Sequence, residues 1–279
     1  ILWGNNIPFL YEYVYKLSKK LNVPIITITC EDYPLKNYNY MTFRKNIFFS
    51  IIQRKLKKYC QKVYSISKLN IFTNEELLNL YSSKTSCNNN HVIYFGSSLL
   101  PSKNSVSKIE NIFYGGNLYE DRLDSLLKLA DEIKKKSSAV INIYGNLDPV
   151  LAQKLSSKTN VKYHGYVSYE TLIEHMYNSD CLLHIEGFSK KYVNDCRYAL
   201  STKISDYLML QKPVIVYGSE EISGIKFCVK NIEKNTIISD VDFVKLDYIF
   251  QTTKLDFNPT NLFSLEAVSE KFCNLASKI

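Results

Sequence analysis

Apolar positions along the chain fall into two patterns, short continuous runs and longer stretches with a helical period, and the two alternate nearly throughout. In the first hundred residues a helical segment, "NIPFLYEYVYKLSKKLN", precedes "VPIITIT" (23 to 29), a strand apolar on both faces that ends at Cys30, Glu31 and Asp32. "VYSIS" (63 to 67) and "HVIYFG" (91 to 96) read as further strands, with a helix "NEELLNLYSS" opening at Asn74 between them. Beyond the polar, Ser-rich segment 98 to 111 the pattern becomes more regular. "NIFYGG", "AVINIYG", "VKYHGYV" and "DCLLHIE" read as strands, and the first three lead into the helical stretches "YEDRLDSLLKLADEIKKK", "DPVLAQKLSSK" and "SYETLIEHMYNS". After a polar stretch from Gly187 to Cys196, "STKISDYLMLQKPVIVYG" (201 to 218) predicts a helix capped at Ser201 and Thr202, stopped by Pro213, and then a buried strand. The tail from Leu262 predicts one closing amphipathic helix.

Alternating strands and helices favour parallel sheets, so the fold class is α/β, and the second part reads as a doubly wound domain. Such domains bind ligands beyond the C-terminal ends of their strands. The chain of 279 residues suits two domains, divided here as 1–107 and 108–261, with 262–279 as the closing helix. Only two further strands are available to flank the apolar strand at 23 to 29. The first part is therefore expected to be the second portion of a larger domain, with preceding residues lying outside this sequence.

Charge changes the picture of the first part. Residues 1 to 107 carry 14 Lys plus Arg against 5 Asp plus Glu, or +9, and the remainder carries 21 against 22, or −1. The densest stretch, Phe43 to Lys62, sets Phe48, Ile51, Ile52 and Leu56 beside Arg54, Lys55, Lys57 and Lys58. That pattern suits peripheral contact with an anionic membrane, and equally an amphipathic helix packed on a sheet with a solvated basic face. No aromatic and basic module for nucleic acid accompanies it, and no nucleic-acid partner is expected. No apolar run approaches ~18 residues and no secretory leader opens the chain, so the cytoplasm is the default address, with any membrane contact at the inner face. Seven cysteines without a C-x-x-C pair argue for reduced, structural thiols and against a zinc site.

The strand-end residues of the second part form a coherent set: Gly115, Gly116 and Asn117 with Arg122; Gly165, Tyr166 and Val167; Glu186; and Ser201, Thr202, Lys203 and Asp206. A lysine in the first turn of a helix opposes the helix dipole by a few tenths of a kcal/mol unless an anion is present. Arg122, Lys203 and the free N–H groups of the helix start would hold a diphosphate, and Asp206, one turn on, could accept from both hydroxyls of a ribose. The plainer readings are a surface Lys203–Asp206 ion pair, an Arg122 paired within its own helix, and a structural His164 at a strand end.

The order G-N-L-x-x-x-R, Y-H-G-Y-V-S-Y-E-T-L, S-D-C-L-L-H-I-E and S-T-K-I-S-D-Y-L-M-L-Q-K-P-V-I-V, from Ile112 to Gly218, resembles the donor-binding half of a GT-B glycosyltransferase, similar to the retaining family 4 enzymes that build bacterial surface polysaccharides. The resemblance implies two Rossmann-like domains facing across a cleft, the first incomplete here. It implies retaining transfer from a nucleoside diphosphate sugar to a glycan or lipid-linked acceptor, with no metal and no further cofactor. Arg122 falls on the family's diphosphate lysine, whereas Asn117 stands where an arginine is usual, and Lys203 would replace that charge. Asp206 occupies the position of the ribose-binding glutamate. Glu186 resembles the first glutamate of the pair, separated from Asp206 by an insertion that contains Arg197. Gly165 to Val167 resemble the segment whose backbone meets the nucleobase, and Glu31 and Asp32 fall on the acceptor side. In this reading Glu186, Lys203 and Arg122 act at the reacting centre, Glu186 holding the sugar hydroxyls, and Gly116, Asn117, Gly165, Tyr166, Val167, Arg197, Ser201, Thr202 and Asp206 line the donor. The chain alone is expected to keep nucleotide affinity and show little transfer.

Two other readings stand beside it. One is a metal-dependent GT-A-type transferase, for which "DVD" at 240 to 242 supplies the letters of the D-x-D hallmark. The other is a non-catalytic nucleotide- or glycan-binding partner, favoured by Asn117 and the short first domain.

Overall fold

The computed structural model describes residues 1–3, 8–35, 47–102, 106–254 and 257–279. The chain divides into two compact units, one of residues 1–96, 198–200 and 265–279, the other of residues 97–197 and 201–264.

The first unit runs β1 (Leu2–Trp3), α1 (Pro8–Leu21), β2 (Ile26–Thr29), α2 (Ile47–Ile66), β3 (Leu69–Phe72), α3 (Glu75–Lys84) and β4 (Asn90–Val92). Its four strands are all parallel, in the order β1-β2-β3-β4. Side chains alternate across the sheet, as the strand period requires. Phe72 packs with Tyr11, Leu56, Cys60, Val63, Leu77 and Tyr81 of the three helices. Leu69, Ile71 and Ile93 meet Val268, Phe272 and Leu275 of the C-terminal helix, Leu265–Ala276. The "VYSIS" segment is not a strand: residues 63–66 form the last turn of α2, because Leu56, Cys60 and Val63 keep the i, i+4, i+7 spacing of a buried helical stripe, and the strand follows at Leu69. Asn74 caps α3 through its Oδ1, which accepts from the Leu77 N–H at 2.9 Å. Of the basic stretch, Phe43 to Asn46 lie outside the described residues; Leu56 of that stretch is buried, Ile51 is exposed, and Lys55 pairs with Glu12 of α1 at 2.6 Å.

The second unit runs β5 (Asn111–Gly115), α4 (Glu120–Lys136), β6 (Val140–Tyr144), α5 (Pro149–Ser156), β7 (Val161–Gly165), α6 (Tyr169–Asn178), β8 (Cys181–Ile185), α7 (Lys190–Cys196), α8 (Thr202–Met209), β9 (Val214–Tyr217), α9 (Ser223–Ile232), β10 (Thr236–Ile237), α10 (Lys245–Gln251) and α11 (Thr260–Phe263); the C-terminal helix of the first unit is α12. Six parallel strands lie in the order β10-β9-β8-β5-β6-β7. Chain order reverses between β5 and β8, and the crevice at their C-terminal ends is where a doubly wound sheet takes its ligand. Two segments differ from the sequence reading. The polar stretch 187–196 contains α7, capped by Ser189, whose Oγ accepts from the Tyr192 N–H at 3.2 Å. The tail is broken at Ser264, which turns extended to bridge Ser97, so one apolar period spans two helices.

Candidate functional site

The crevice between β5 and β8 gathers three of the charged residues that the sequence singles out. Lys203, in the first turn of α8, sends Nζ back to the end of β5, where it donates to the Gly115 carbonyl at 2.8 Å and lies 5.0 Å from the centre of the Tyr114 ring. Gly116 makes this approach possible: its φ is +132°, and a Cβ there would stand 2.4 Å from Lys203 Nζ. The adjacent turn after β6 is fixed likewise, since Gly145 has φ +145° and a Cβ there would meet the Gly116 carbonyl oxygen at 2.5 Å. Among the described residues no carboxylate pairs with Lys203. Burial, with Arg122 nearby, pushes its ammonium down to about 8 against the opposing pull of Glu186.

Arg122 and Glu186 form the second element of the cluster. Arg122 Nε and Nη2 both donate to Glu186 Oε2, at 3.1 and 2.9 Å, and the Tyr192 hydroxyl donates to the same oxygen. His184 Nε2 stands 3.2 Å from Oε1. Burial by itself would raise the Glu186 carboxyl, but His184, Arg122 and Tyr192 outweigh it and hold it at about 2. Glu186 is therefore an ionised anchor whose Oε2 takes three donors, while Oε1 faces His184 without a hydrogen bond. The guanidinium is 20% exposed and uses two of its five N–H groups on Glu186. Arg122 thus pairs across the sheet and not within its own helix.

Asp206 does not pair with Lys203. Its Oδ1 accepts from Ser97 Oγ at 2.6 Å, and burial raises its carboxyl above the usual range despite that bond. Ser201 caps α8 by backbone geometry alone, with Thr202 exposed beside it. Asn117 is exposed and its carbonyl accepts from the Tyr114 hydroxyl at 3.2 Å. Gly165 has φ +78° with open space around it, followed by Tyr166 at 73% exposure and Val167. Arg197 lies apart from the cluster in its contacts, paired with Glu221 at 2.6 Å. Glu31 and Asp32 belong to the first unit, where the Glu31 carbonyl accepts from Tyr81 and the Asp32 carbonyl from the Leu35 N–H. His164 stacks on Tyr144 at 4.6 Å and its Nε2 lies 2.8 Å from Asn142 Oδ1, a structural setting.

The sequence reading missed His184, Tyr192, Tyr207 and Gly145. His184 was within reach, since residues i and i+2 of a strand share a face and His184 precedes Glu186 by two. Tyr207, whose hydroxyl accepts from the Gly115 N–H at 3.3 Å, looks in sequence like any core position of α8. Tyr192 carries no signal, because it lies in a polar stretch, 187–196, that shows no helical period.

No protein-family model matches the chain. Its sequence is 30% identical to tryptophan decarboxylase of Clostridium sporogenes (strain ATCC 15579) over 169 residues, 58% of this chain and 36% of that protein. Its structure is similar to the lipopolysaccharide outer core galactosyltransferase WaaB, with a TM-score of 0.59 at 12% identity over 96% of this chain and 79% of WaaB. It is also similar to a variant of S. aureus TarM in complex with fondaparinux, alpha-GlcNAc-glycerol and UDP, with a TM-score of 0.58 at 17% identity over 95% of this chain. The fold is GT-B. At these identities the likeness shows the fold alone, and the chain spans 58% of the length of TarM and 36% of the decarboxylase. A GT-B fold removes the GT-A-type reading. Its "DVD" carboxylates are otherwise engaged: Asp240 pairs with Lys128 at 2.6 Å, and Asp242 Oδ2 accepts from the Ile238 N–H and the Ser239 hydroxyl.

Proposed function

We propose that this chain acts as a retaining glycosyltransferase, moving a sugar from a nucleoside diphosphate sugar to a glycan or lipid-linked acceptor in surface polysaccharide synthesis. The observation that carries the reading is Lys203: a half-buried ammonium, lowered to about 8, without a carboxylate partner among the described residues, held at the turn of the β5/β8 crevice. Holding a cation there without a paired carboxylate costs folding free energy that the pull of Glu186 only partly offsets, and an anion at the same place offsets more. The diphosphate would take Lys203 Nζ and the Arg122 N–H groups not used by Glu186. Its ribose would reach the Asp206 oxygen that Ser97 leaves open, and its base would lie along Gly165, Tyr166 and Val167.

In the reaction the bond from the anomeric carbon to the diphosphate oxygen breaks as the sugar takes on oxocarbenium character. The acceptor oxygen bonds to that carbon from the same face, and its proton passes to the departing diphosphate. Lys203 and Arg122 stabilise the charge that builds on the leaving group, with no metal invoked. Glu186 positions Arg122. Glu31 and Asp32 are assigned to the acceptor side, and the basic stretch 43–62 to peripheral contact with an anionic membrane at the cytoplasmic face.

The test is to incubate the chain with a panel of nucleotide sugars and candidate acceptors, and to assay released nucleoside diphosphate and the anomeric configuration of any product. Release of one nucleoside diphosphate, lost in Lys203→Ala, supports the reading, with retention in the product. Binding of the nucleotide sugar without release would favour a non-catalytic partner, and inversion would remove the retaining assignment.

A further inference from the structure

A separate cavity of about 680 Å³ opens in the second unit beside the ends of β9 and β10. Asp121, Asp124 and Lys128 of α4 line one side of it. Their i, i+3, i+7 spacing makes them one stripe of that helix, while Arg122 turns about 100° away toward Glu186. The opposite side holds an aromatic pair, Phe188 and Tyr217, with ring centres 4.9 Å apart, and Asp240. The volume is within the range of small-molecule sites.

Three features of the lining define what fits. Asp240 is matched by Lys128 at 2.6 Å, whereas Asp121 and Asp124 enter no ion pair among the described residues, so the cavity wall is net negative within a net positive chain. Tyr217 is only 1% exposed, yet its hydroxyl has no hydrogen-bond partner among the described residues; burial and the nearby Asp240 and Glu132 push it up to about 12, so it stays a donor without an acceptor. Phe188, against it, keeps 39% of its surface exposed. The two unpaired carboxylates offer hydrogen-bond acceptors at the cavity wall.

We infer that this cavity is a saccharide-binding site distinct from the crevice between β5 and β8, taking an uncharged or amino-bearing pyranose unit of a glycan. The apolar face of the ring lies on Phe188, its hydroxyls or ammonium donate to Asp121 and Asp124, and an acceptor oxygen of the sugar meets the Tyr217 hydroxyl. Uronate and phosphorylated sugars are repelled by the same carboxylates, and so is a nucleotide. This inference stands apart from the donor reading, since it requires nothing of Lys203.

The experiment is isothermal titration of the full chain with three tetrasaccharides: N-acetylated chitotetraose, its de-N-acetylated form and tetragalacturonate. The first two should bind and the third should not. Phe188→Ala should abolish both titrations, and Asp124→Asn should weaken the de-N-acetylated form by about tenfold, as loss of one charged hydrogen bond implies. A melting curve for each variant separates lost binding from lost fold, and Asp124 is exposed, so its substitution keeps the test open if Phe188→Ala fails to fold. Saturating UDP should leave the titrations unchanged. No binding of either of the first two, equal binding of tetragalacturonate, displacement by UDP, or affinity unchanged in folded variants would each overturn the inference.

Discussion

Lys203 is a cation placed where its surroundings disfavour its charge. Its ammonium is about 8 in the fold against 10.5 for a free lysine, so the fold favours the neutral form, and the associated loss of stability is fully present below about 8 and gone above 10.5. A bound diphosphate reverses that preference. UDP affinity of the chain should therefore be level from pH 7 to about 8 and then weaken by up to tenfold per pH unit, with proton uptake on binding near pH 8. Titration calorimetry in two buffers of different ionisation enthalpy measures both. In Lys203→Ala the slope above pH 8 should vanish; a wild-type affinity that stays level to pH 10 would remove Lys203 from the anion site. Glu186 behaves oppositely. Held at about 2, its carboxylate stays ionised throughout this range and keeps Arg122 in place.

The elements that matter are two turns and one helix start. Both turns rest on glycines whose φ values, +132° at Gly116 and +145° at Gly145, exclude ordinary side chains. The neighbours they meet differ in kind. A Cβ on Gly116 meets the flexible end of Lys203, whereas a Cβ on Gly145 meets the Gly116 backbone at 2.5 Å, which cannot yield without moving the turn. Gly145→Ala should therefore destabilise the chain more than Gly116→Ala, by roughly 1–3 kcal/mol from backbone strain and overpacking. Gly116→Ala should lower UDP affinity by displacing the ammonium while costing less in melting temperature. Thermal melts and calorimetry on the two variants check this; equal melts would mean that the turns are not coupled. These elements were legible in the sequence to different degrees. β5, α4 and β8 could be read because long apolar runs and periods leave one interpretation, and Gly116, Arg122, Glu186 and Lys203 could be placed from strand ends. Residues 63–66 could not, since Val63, Tyr64 and Ile66 at the end of a buried helical stripe have the letters of a strand. β10, two residues long, has too few positions to show any period. Tyr192 acts through a helix hidden in polar letters, and Ser264 breaks its helix through a pairing with Ser97, distant in sequence.

At the scale of the whole molecule, the two units divide the chemistry. The first is a four-stranded parallel sheet with helices on both faces and carries all but one of the Lys and Arg residues behind the +9 of residues 1 to 107. The second has the strand order of a doubly wound domain and holds the Lys203 cation, half-buried, at its switch point. No described helix is long and apolar enough to cross a membrane. The +9 could have been counted without any structure, but which strands adjoin could not, because pairing order depends on crossovers that leave no periodic trace. The central claim is that the β5/β8 crevice is a nucleoside diphosphate site built around Lys203. It is tested most directly by titrating the full chain, at pH 7.5, with uridine, UMP and UDP, and repeating the series with Lys203→Ala. The account predicts that affinity rises from uridine through UMP to UDP, with the largest step at the second phosphate, and that Lys203→Ala removes about 1–3 kcal/mol of the UDP affinity, as expected for a charged hydrogen bond, while leaving uridine unchanged. Equal affinity for all three ligands, or a UDP affinity untouched by the substitution, would contradict it.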